Sequence, residues 1–355
     1  MGKVLMKGNE VIGEAAIHAG CYYFFGYPIT PQSELVAYMA KRLPEVGGLF
    51  LQSESEVSAI NMVYGAASAG KRVMTSSSSP GFSLKQEGIS YLAGAELPAV
   101  IVNVARGGPG LGNIQPSQSD YFQVTKGGGH GDYHTPVLAP ANLQEIIELT
   151  SDAFRIADQY RTPVILLGDG MLGQMMEPVE FNEKTETGDN FMKDWATTGT
   201  EGDGLPKVIT SLDLNDVKLE QRNHRLQAKY RKIENNETKV EVKNVEEADY
   251  VIVAYGTVAR IAHSAIEKAR QDGIKVGLIR PISLWPFPKK IISDTSKNVK
   301  AILTVEMSAG QMVEDVRLAV EGKSPVSFYG RTGGIIPTVD EIYREILKLG
   351  KGVTS

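Results

Sequence analysis

A threonine, Thr30, stands in a short loop whose backbone is restricted on both sides. The loop reads Gly26-Tyr27-Pro28-Ile29-Thr30-Pro31 and follows a predicted strand. Each proline fixes its own φ angle and limits the residue before it, so the Thr30 hydroxyl is held at a carboxyl strand end. This hydroxyl is a candidate for contact with a ligand. The alternative is that Thr30 and Pro31 only begin the next helix.

Two glutamates follow the next predicted strand, in the segment Gln52-Ser53-Glu54-Ser55-Glu56. The apolar pattern beyond them predicts a helix with Glu56 in its first turn. A carboxylate at this place could exchange or share a proton with a ligand, and Glu54 is a rival for that role. The alternative is structural, because Ser53 and Glu56 have the spacing of a capping box.

An arginine, Arg106, begins a glycine-rich loop directly after a predicted buried strand. The loop reads Arg106-Gly107-Gly108-Pro109-Gly110-Leu111-Gly112-Asn113, and its glycines allow the backbone to approach a ligand closely. Asn113 stands where the last glycine of a dinucleotide fingerprint would fall, so the pattern does not predict dinucleotide binding. Arg106 could bind a carboxylate with two hydrogen bonds, or it could pair with Glu87 or Glu96.

Three further polar segments carry weaker signals. The turn Thr75-Ser76-Ser77-Ser78-Ser79-Pro80-Gly81 could present hydroxyls and amides to an anion, although ordinary helix capping by serine explains it equally well. His130 and His134 lack a partner at metal-ligand spacing, so no metal site is predicted there. Asp169 stands between two glycines at the end of a predicted strand.

The elements that must position these residues alternate between apolar strands and amphipathic helices. This alternation predicts an α/β fold with a parallel sheet and helices on both faces, which binds ligands beyond the carboxyl ends of its strands. The strands are predicted at 22–25, 49–52, 72–75, 99–104 and 163–167, and the helices at 10–18, after 32, and at 55–69, 83–93 and 142–160.

The rest of the chain divides into a polar connection and a second α/β unit. We predict a first domain over 1–172, an extended linker over 173–247 and a smaller domain over 248–355. The second unit is predicted to contain strands at 250–254, 276–280 and 301–306 and helices at 258–272, 311–320 and 340–349.

Composition excludes several classes of protein. The chain has 355 residues and a formal net charge of −5 without a basic stripe, so nucleic acid is not an expected partner. No apolar run approaches the ~20 residues of a membrane helix, and the N-terminus has no apolar signal core, which predicts a cytoplasmic protein. Cys21 is the only cysteine, which excludes an internal disulfide and a cluster held by four thiolates.

Four segments resemble, in order along the chain, those of the α subunits of 2-oxoacid:ferredoxin oxidoreductases. They are the Thr30 loop, the helix start at Glu56, the 75–81 turn and the Arg106 loop. Asn113-Ile114-Gln115-Pro116-Ser117-Gln118-Ser119-Asp120-Tyr121 resembles the subunits that act on 3-methyl-2-oxobutanoate (2-ketoisovalerate). The resemblance implies a pyrimidine-type thiamine-diphosphate domain followed by a transketolase C-terminal-like domain. The sequence Gly168-Asp169-Gly170 then only ends a strand, because the paired asparagines of a diphosphate and Mg²⁺ motif are missing and only Asn190 follows.

The resemblance also assigns roles to single residues. Glu56 matches the glutamate that binds the aminopyrimidine ring and activates the cofactor, while Ser79 and Gly81 belong to the turn expected to contact the cofactor. Thr30 and Arg106 match the residues that bind the substrate carboxylate.

The same resemblance implies a division of labour among subunits. A β subunit is expected to hold the diphosphate, its Mg²⁺ and a [4Fe-4S] cluster, and a γ subunit, a ferredoxin-like subunit and an external ferredoxin complete the system. The expected reaction is oxidative decarboxylation of a 2-oxoacid to CO2 and an acyl group, which coenzyme A collects.

The choice of substrate and two rival functions stay open on the sequence. Enzymes for 2-oxoglutarate or pyruvate share the carboxylate pocket, and the residues at the side-chain end cannot be placed. An acetolactate-synthase or transketolase-like enzyme would need its own diphosphate site, which is not found. A non-catalytic nucleotide-binding or scaffold protein is disfavoured by the missing glycine patterns.

Overall fold

A computed structural model describes residues 2–181, 193–200 and 204–350 of the chain. The strands are β1 Val4–Lys7, β2 Tyr23–Gly26, β3 Leu49–Gln52, β4 Val73–Ser77, β5 Ala99–Ala105, β6 Val137–Leu138, β7 Pro163–Asp169, β8 Met176–Val179, β9 Val240–Lys243, β10 Tyr250–Val253, β11 Val276–Pro281, β12 Ser283–Trp285, β13 Ala301–Glu306 and β14 Val326–Gly330. The helices are α1 Gly8–His18, α2 Ser33–Glu45, α3 Glu56–Ser68, α4 Ser79–Leu84, α5 Gln86–Gly94, α6 Tyr121–Thr125, α7 Leu143–Tyr160, α8 Gly170–Gln174, α9 Asp216–Asn236, α10 Gly256–Gln271, α11 Lys289–Ser296, α12 Met312–Val320 and α13 Val339–Gly350.

The first sheet has the strand order β12-β6-β7-β5-β4-β2-β3. Its strands from β6 to β3 are parallel, as the sequence predicted, and β12 pairs antiparallel with β6. Every residue of β5 is buried, because a parallel strand in the middle of such a sheet is covered on both faces. The carboxyl ends of β2, β4 and β5 therefore bring the Thr30 loop, the serine turn and Arg106 to one edge.

The second sheet has the order β14-β13-β10-β11-β9 and is parallel except for β9. Helices α10 and α13 pack against each other and bury Ala262, Ala265 and Ile346 with the apolar face of this sheet. The strands and helices predicted at 250–349 are present in this sheet and its helices, and β14 and α11 are additions that the sequence pattern did not predict.

The polar region 173–247 is not only an extended linker. It contains β8, which pairs with β1, the helix α9, and β9, which joins the second sheet. Only Leu226, Tyr230 and Ile233 of α9 are buried, and this narrow apolar stripe in a charged helix explains why the pattern was missed. The predicted polar stretch at 182–192 and 201–203, with Asn190, lies outside the described residues.

A strand and several side-chain contacts connect the two units. The second unit supplies β12 to the first sheet, and Gln118 of the first unit bonds the second through its side chain, donating to the Tyr255 carbonyl at 2.9 Å and accepting from the Met307 amide at 3.0 Å. The Tyr121 hydroxyl donates to Asp315 at 2.7 Å. These contacts fix the long loop after Arg106 between the units.

Two local predictions need correction. The single helix predicted at 83–93 is two helices, α4 and α5, which meet at Lys85. The cap of α3 is Ser55, whose hydroxyl accepts from the Ser58 amide at 3.2 Å, whereas Ser53 donates to backbone carbonyls. The capping box considered for Ser53 and Glu56 is therefore wrong, and the Glu56 carboxylate does not cap α3.

No helix in the described part of the chain is long and apolar enough to cross a membrane. A cytoplasmic location remains a prediction from the sequence.

Candidate functional site

Glu56 is the first residue of α3 and is almost fully buried, with 6 % of its surface exposed. Its carboxylate makes no hydrogen bond with any side chain or amide that the structure describes. The rival Glu54 is exposed and its pKa is lowered by a hydrogen bond with Ser58. A nearly buried carboxylate beside an open space is better placed to bind a ligand than an exposed one, so the geometry favours Glu56 over Glu54 as the ligand-binding residue.

Gly81 of α4 leaves space against the Glu56 carboxylate. A Cβ atom at this position would lie 2.5 Å from Glu56 Oε1 and 2.4 Å from the Ser77 hydroxyl, which is too close for any side chain. The hydroxyls of Ser77 and Ser78 are buried and have no hydrogen-bond partner among the described residues. The Glu56 carboxylate, the space that only glycine leaves and the unused Ser77 hydroxyl together form a small polar corner.

A lysine is buried where α4 meets α5. Lys85 is completely buried and its Nζ donates to Thr75 Oγ1 at 2.6 Å and to the Ser76 carbonyl at 2.9 Å. Burial lowers the pKa of Lys85 to about 7, and the nearby charge of Glu56 opposes this shift. The Ser76 hydroxyl in turn donates to Gln32 at 2.6 Å, which connects β4 to the helix that follows the Thr30 loop.

The structure brings Arg106 and Thr30 together through the backbone. The Arg106 guanidinium is buried and donates to the Thr30 carbonyl at 2.8 Å and to the Leu111 carbonyl at 2.9 Å. Its Nε has no partner among the described residues, and neither Glu87 nor Glu96 pairs with it. The salt-bridge alternative for Arg106 is therefore wrong, and an unpaired guanidinium remains available to an anion.

Ser79 is held by protein groups rather than free for a ligand. Its hydroxyl donates to Asp120 at 2.7 Å and accepts from the Arg106 amide at 2.9 Å, and its own amide donates to Asn103 at 3.1 Å. Ser79 also has a φ of 22°, a strained value for a residue with a side chain. The observed contacts assign Ser79 to fixing α4 against Arg106, and its predicted contact with the cofactor stays untested.

A cavity of about 640 Å³ opens beside Arg106 between the two units of the chain. Its charged lining consists of Arg106 and Asp120, and burial raises the pKa of Asp120. The apolar part of the lining comprises Pro80, Pro109, Met307 and Ala309. The cavity therefore offers one cation, one carboxylate and an apolar wall.

Other polar residues have structural roles. Asp169 accepts from the amides of Met171 and Leu172 and so caps α8, as predicted for a residue that only ends a strand. His134 stacks on Trp285 with ring centroids 4.8 Å apart, and burial lowers its pKa. Within the described residues no group of three or more His, Cys, Asp or Glu side chains could hold a metal ion.

The predicted site residues thus form two neighbouring groups joined by α4. Glu56 and Gly81 lie at one end, while Thr30, Arg106 and Ser79 lie at the other. Lys85 and Asp120 were missed, because a lone lysine or aspartate in a polar stretch normally faces solvent. The serine-rich turn at 75–81 is uncommon, and it was the one feature of the sequence that indicated buried hydrogen-bond partners for Lys85 and Asp120.

Two family models match nearly the whole chain. Residues 14–246 match the thiamine-diphosphate-binding model of pyruvate flavodoxin/ferredoxin oxidoreductase, and residues 248–342 match core domain II of pyruvate:ferredoxin oxidoreductase. The chain therefore belongs to the thiamine-diphosphate-binding subunits of the 2-oxoacid oxidoreductases that use flavodoxin or ferredoxin. This result confirms the family, fold class and enzyme class that the four motifs indicated.

Curated relatives indicate the particular type of subunit. The chain is 50 % identical to ketoisovalerate oxidoreductase subunit VorB of Methanothermobacter marburgensis, with 98 % of each chain covered. It is 34 % identical to 2-oxoglutarate synthase subunit KorA of Methanothermobacter thermautotrophicus, again over 98 % of each.

A solved structure supports the family and the fold. The 2-oxoglutarate:ferredoxin oxidoreductase of Magnetococcus marinus, with 2-oxoglutarate, coenzyme A and succinyl-CoA bound, is 29 % identical with a TM-score of 0.86. The match covers 98 % of this chain but 65 % of that one, so the solved chain carries further sequence outside the match.

Proposed function

We propose that this chain is the α subunit of a complex that oxidises 3-methyl-2-oxobutanoate to CO2 and the corresponding acyl-CoA, with reduction of ferredoxin. The observation that carries the proposal is the buried Glu56 carboxylate, unpaired among the described residues and facing the space left by Gly81. The similarity to ketoisovalerate oxidoreductase subunits supports the choice of substrate.

Glu56 is the residue that would bind the aminopyrimidine ring of thiamine diphosphate. Its carboxylate offers a hydrogen bond to a ring nitrogen, and the unused hydroxyls of Ser77 and Ser78 offer further polar contacts. Gly81 keeps the approach to the carboxylate open. When bound, thiamine diphosphate supplies the carbon nucleophile for the 2-oxo group and accepts the electrons released with CO2.

Arg106 and Thr30 would bind the substrate carboxylate. Arg106 is held rigidly by two carbonyl groups, and its unpaired Nε makes a charge-assisted hydrogen bond to an anion favourable. Thr30 is exposed, its carbonyl accepts from Arg106, and its hydroxyl would offer a second hydrogen bond to the same anion. Binding of this kind orients the 2-oxo carbon before the reaction.

The lining of the cavity favours a substrate with a single carboxylate. If Arg106 binds the carboxylate next to the 2-oxo group, the second carboxylate of 2-oxoglutarate would find no other cation among the lining residues. It would instead meet Asp120, and like charges repel in a buried site. The walls at Met307 and Ala309 suit a branched hydrocarbon side chain.

Partner subunits complete the proposed enzyme. The described part of this chain offers no cluster of metal ligands, and Cys21 is the sole cysteine of the sequence. We therefore assign Mg²⁺ and the [4Fe-4S] clusters to a β subunit and a ferredoxin-like subunit. A γ subunit and an external ferredoxin complete electron transfer, and coenzyme A is the acyl acceptor.

The test is anaerobic reduction of a viologen dye by the chain co-expressed with its genomic neighbours. The complex receives thiamine diphosphate, coenzyme A and either 3-methyl-2-oxobutanoate or 2-oxoglutarate. We expect the branched acid to be preferred, Glu56→Gln to abolish turnover and Glu54→Gln to retain it. Preference for 2-oxoglutarate would overturn the substrate alone, whereas full activity of Glu56→Gln would overturn the assigned role.

A further inference from the structure

Asp120 binds distant partners instead of the helix that it precedes. It stands directly before α6, at the position whose side chain usually accepts from the amides of the first helical turn. Its carboxylate makes no such bond with the described amides of α6. Instead, Asp120 Oδ2 accepts from the Ser79 hydroxyl at 2.7 Å and from Asn103 Nδ2 at 2.8 Å. Two bonds to residues 41 and 17 positions away therefore replace a local one.

The three residues close a ring of hydrogen bonds. The Ser79 amide donates to Asn103 Oδ1 at 3.1 Å, so Ser79, Asn103 and Asp120 are each bonded to the other two. Asn103 is completely buried within β5, and both ends of its side chain are occupied by the ring. Ser79 has the strained φ of 22° described above, and strain of this kind persists only where neighbouring groups fix the backbone. The ring supplies that fixation.

Ser79 connects this ring to Arg106. A hydroxyl has one hydrogen to donate, and the Ser79 hydroxyl lies closer to Asp120, at 2.7 Å, than to the Arg106 carbonyl, at 3.2 Å. Donation to Asp120 leaves a lone pair of the hydroxyl for the Arg106 amide, which donates to it at 2.9 Å. Asp120 therefore orients the hydroxyl as an acceptor at the point where the chain leaves β5. Ser79, Arg106 and Asp120 all line the cavity beside Arg106.

We propose that Asp120 is a positioning residue for the substrate carboxylate, because through Ser79 it fixes the backbone of Arg106 and hence the direction of the guanidinium. This inference rests on the proposed role of Arg106 in binding that carboxylate. Asp120 acts by geometry, so an uncharged acceptor of the same shape should replace it. It acts on binding and orientation, so its loss should weaken binding of the 2-oxoacid more than it slows turnover.

The first test measures hydrogen exchange of the full chain by mass spectrometry, without cofactor or substrate. Asp120→Ala removes the shared acceptor, so the amides of Ser79 and Arg106 should exchange ~5-fold faster than in wild type. Asp120→Asn should keep wild-type exchange, because its amide oxygen can accept both bonds. Asp132→Ala is the matched control, because Asp132 is exposed and lies in the same loop between β5 and β6. Unchanged exchange of both amides in Asp120→Ala would overturn the proposal.

The second test separates KM from kcat in the assembled complex. Asp120→Ala should raise the KM for 3-methyl-2-oxobutanoate ~5-fold, the effect of about one hydrogen bond, and leave kcat nearly unchanged. Asp120→Asn should restore the wild-type KM. Equal losses in the two variants would mean that Asp120 acts by its charge rather than by position, and would overturn the proposal. A lower kcat with an unchanged KM would contradict it as well.

A double variant tests whether Asp120 acts through Arg106. In the Arg106→Ala background there is no guanidinium left to position, so Asp120→Ala should add no further increase in KM. If the two increases multiplied, Asp120 would act on the substrate independently of Arg106, and the proposal would be wrong.

A second variant covers the case in which Asp120→Ala does not assemble. Ser79→Ala removes the hydroxyl between Asp120 and the Arg106 amide, so it should raise KM in the same way, and a wild-type KM in this variant would contradict the proposal. The two levels of inference can fail separately. If the wild-type complex reduced no dye with any 2-oxoacid, the proposed function would fall, while the exchange measurement would still decide whether Asp120 fixes Arg106.

Discussion

Replacement of Gly81 by alanine tests the geometry of the Glu56 corner most directly. The new Cβ would lie 2.5 Å from Glu56 Oε1, and ordinary contact begins at 3.4 Å, so the carboxylate must move by about 0.9 Å. Ser77 blocks the other side, because its hydroxyl would be 2.4 Å away. The methyl group therefore cannot be accommodated without displacing one of the two side chains.

The expected cost to the reaction follows from this displacement. A shift of about 1 Å in a catalytic group typically lowers the rate ~100-fold, which corresponds to about 2.7 kcal/mol of activation free energy. Overpacking of the corner should also reduce the free energy of unfolding by about 1–3 kcal/mol. We expect kcat to fall by this factor while the complex still assembles.

The assay compares Gly81→Ala with Gly65→Ala in the viologen reduction described above. Gly65 lies within α3, and a Cβ there meets no atom within 4 Å, so this control should keep wild-type kcat. Thermal unfolding of both variants separates a loss of folding from a loss of activity. If Gly81→Ala kept kcat within threefold of wild type, the position of Glu56 would not depend on the space at Gly81.

Three further predictions concern other parts of the chain. Arg106→Ala should raise the KM for the 2-oxoacid at least ~10-fold and Arg106→Lys should not restore it, because a lysine cannot keep both carbonyl contacts; an unchanged KM would remove Arg106 from the carboxylate site. Burial raises the pKa of the Cys21 thiol to about 12, so alkylation at pH 8 should require unfolding, and rapid labelling of the native chain would contradict its burial. Ile233→Ala should lower the free energy of unfolding by ~2–5 kcal/mol in denaturant titrations, whereas a surface helix would show almost no change.

The motifs at Thr30, Glu56 and Arg106 could be predicted from sequence because each combines local signals. A strand, a turn rich in glycine, proline or serine and a helix follow one another within a few residues, and parallel strands bring their carboxyl ends to one edge. The family models confirm the class of protein that these motifs indicated. The catalytic and binding roles of the individual residues remain predictions.

What sequence reasoning missed depends on contacts between distant segments. Lys85 is buried because β4 supplies its oxygen partners, and no local pattern distinguishes it from an exposed lysine. Helix α9 has a narrow apolar stripe, and partners in the first unit hold it in place, including an ion pair of Lys229 with Glu96 at 2.9 Å. Such contacts become visible only when the topology is known.

The strand β12 has a consequence for how the protein is made. The edge of the first sheet at β6 is covered only after residue 285 has been synthesised, although β7 ends at residue 169. At about 5–20 residues per second, the 116 residues from 169 to 285 take roughly 6–23 s. During that interval the nascent sheet exposes an unpaired edge, which other chains can join. Slow synthesis would extend this exposure, and we expect the first half expressed alone to depend on chaperones.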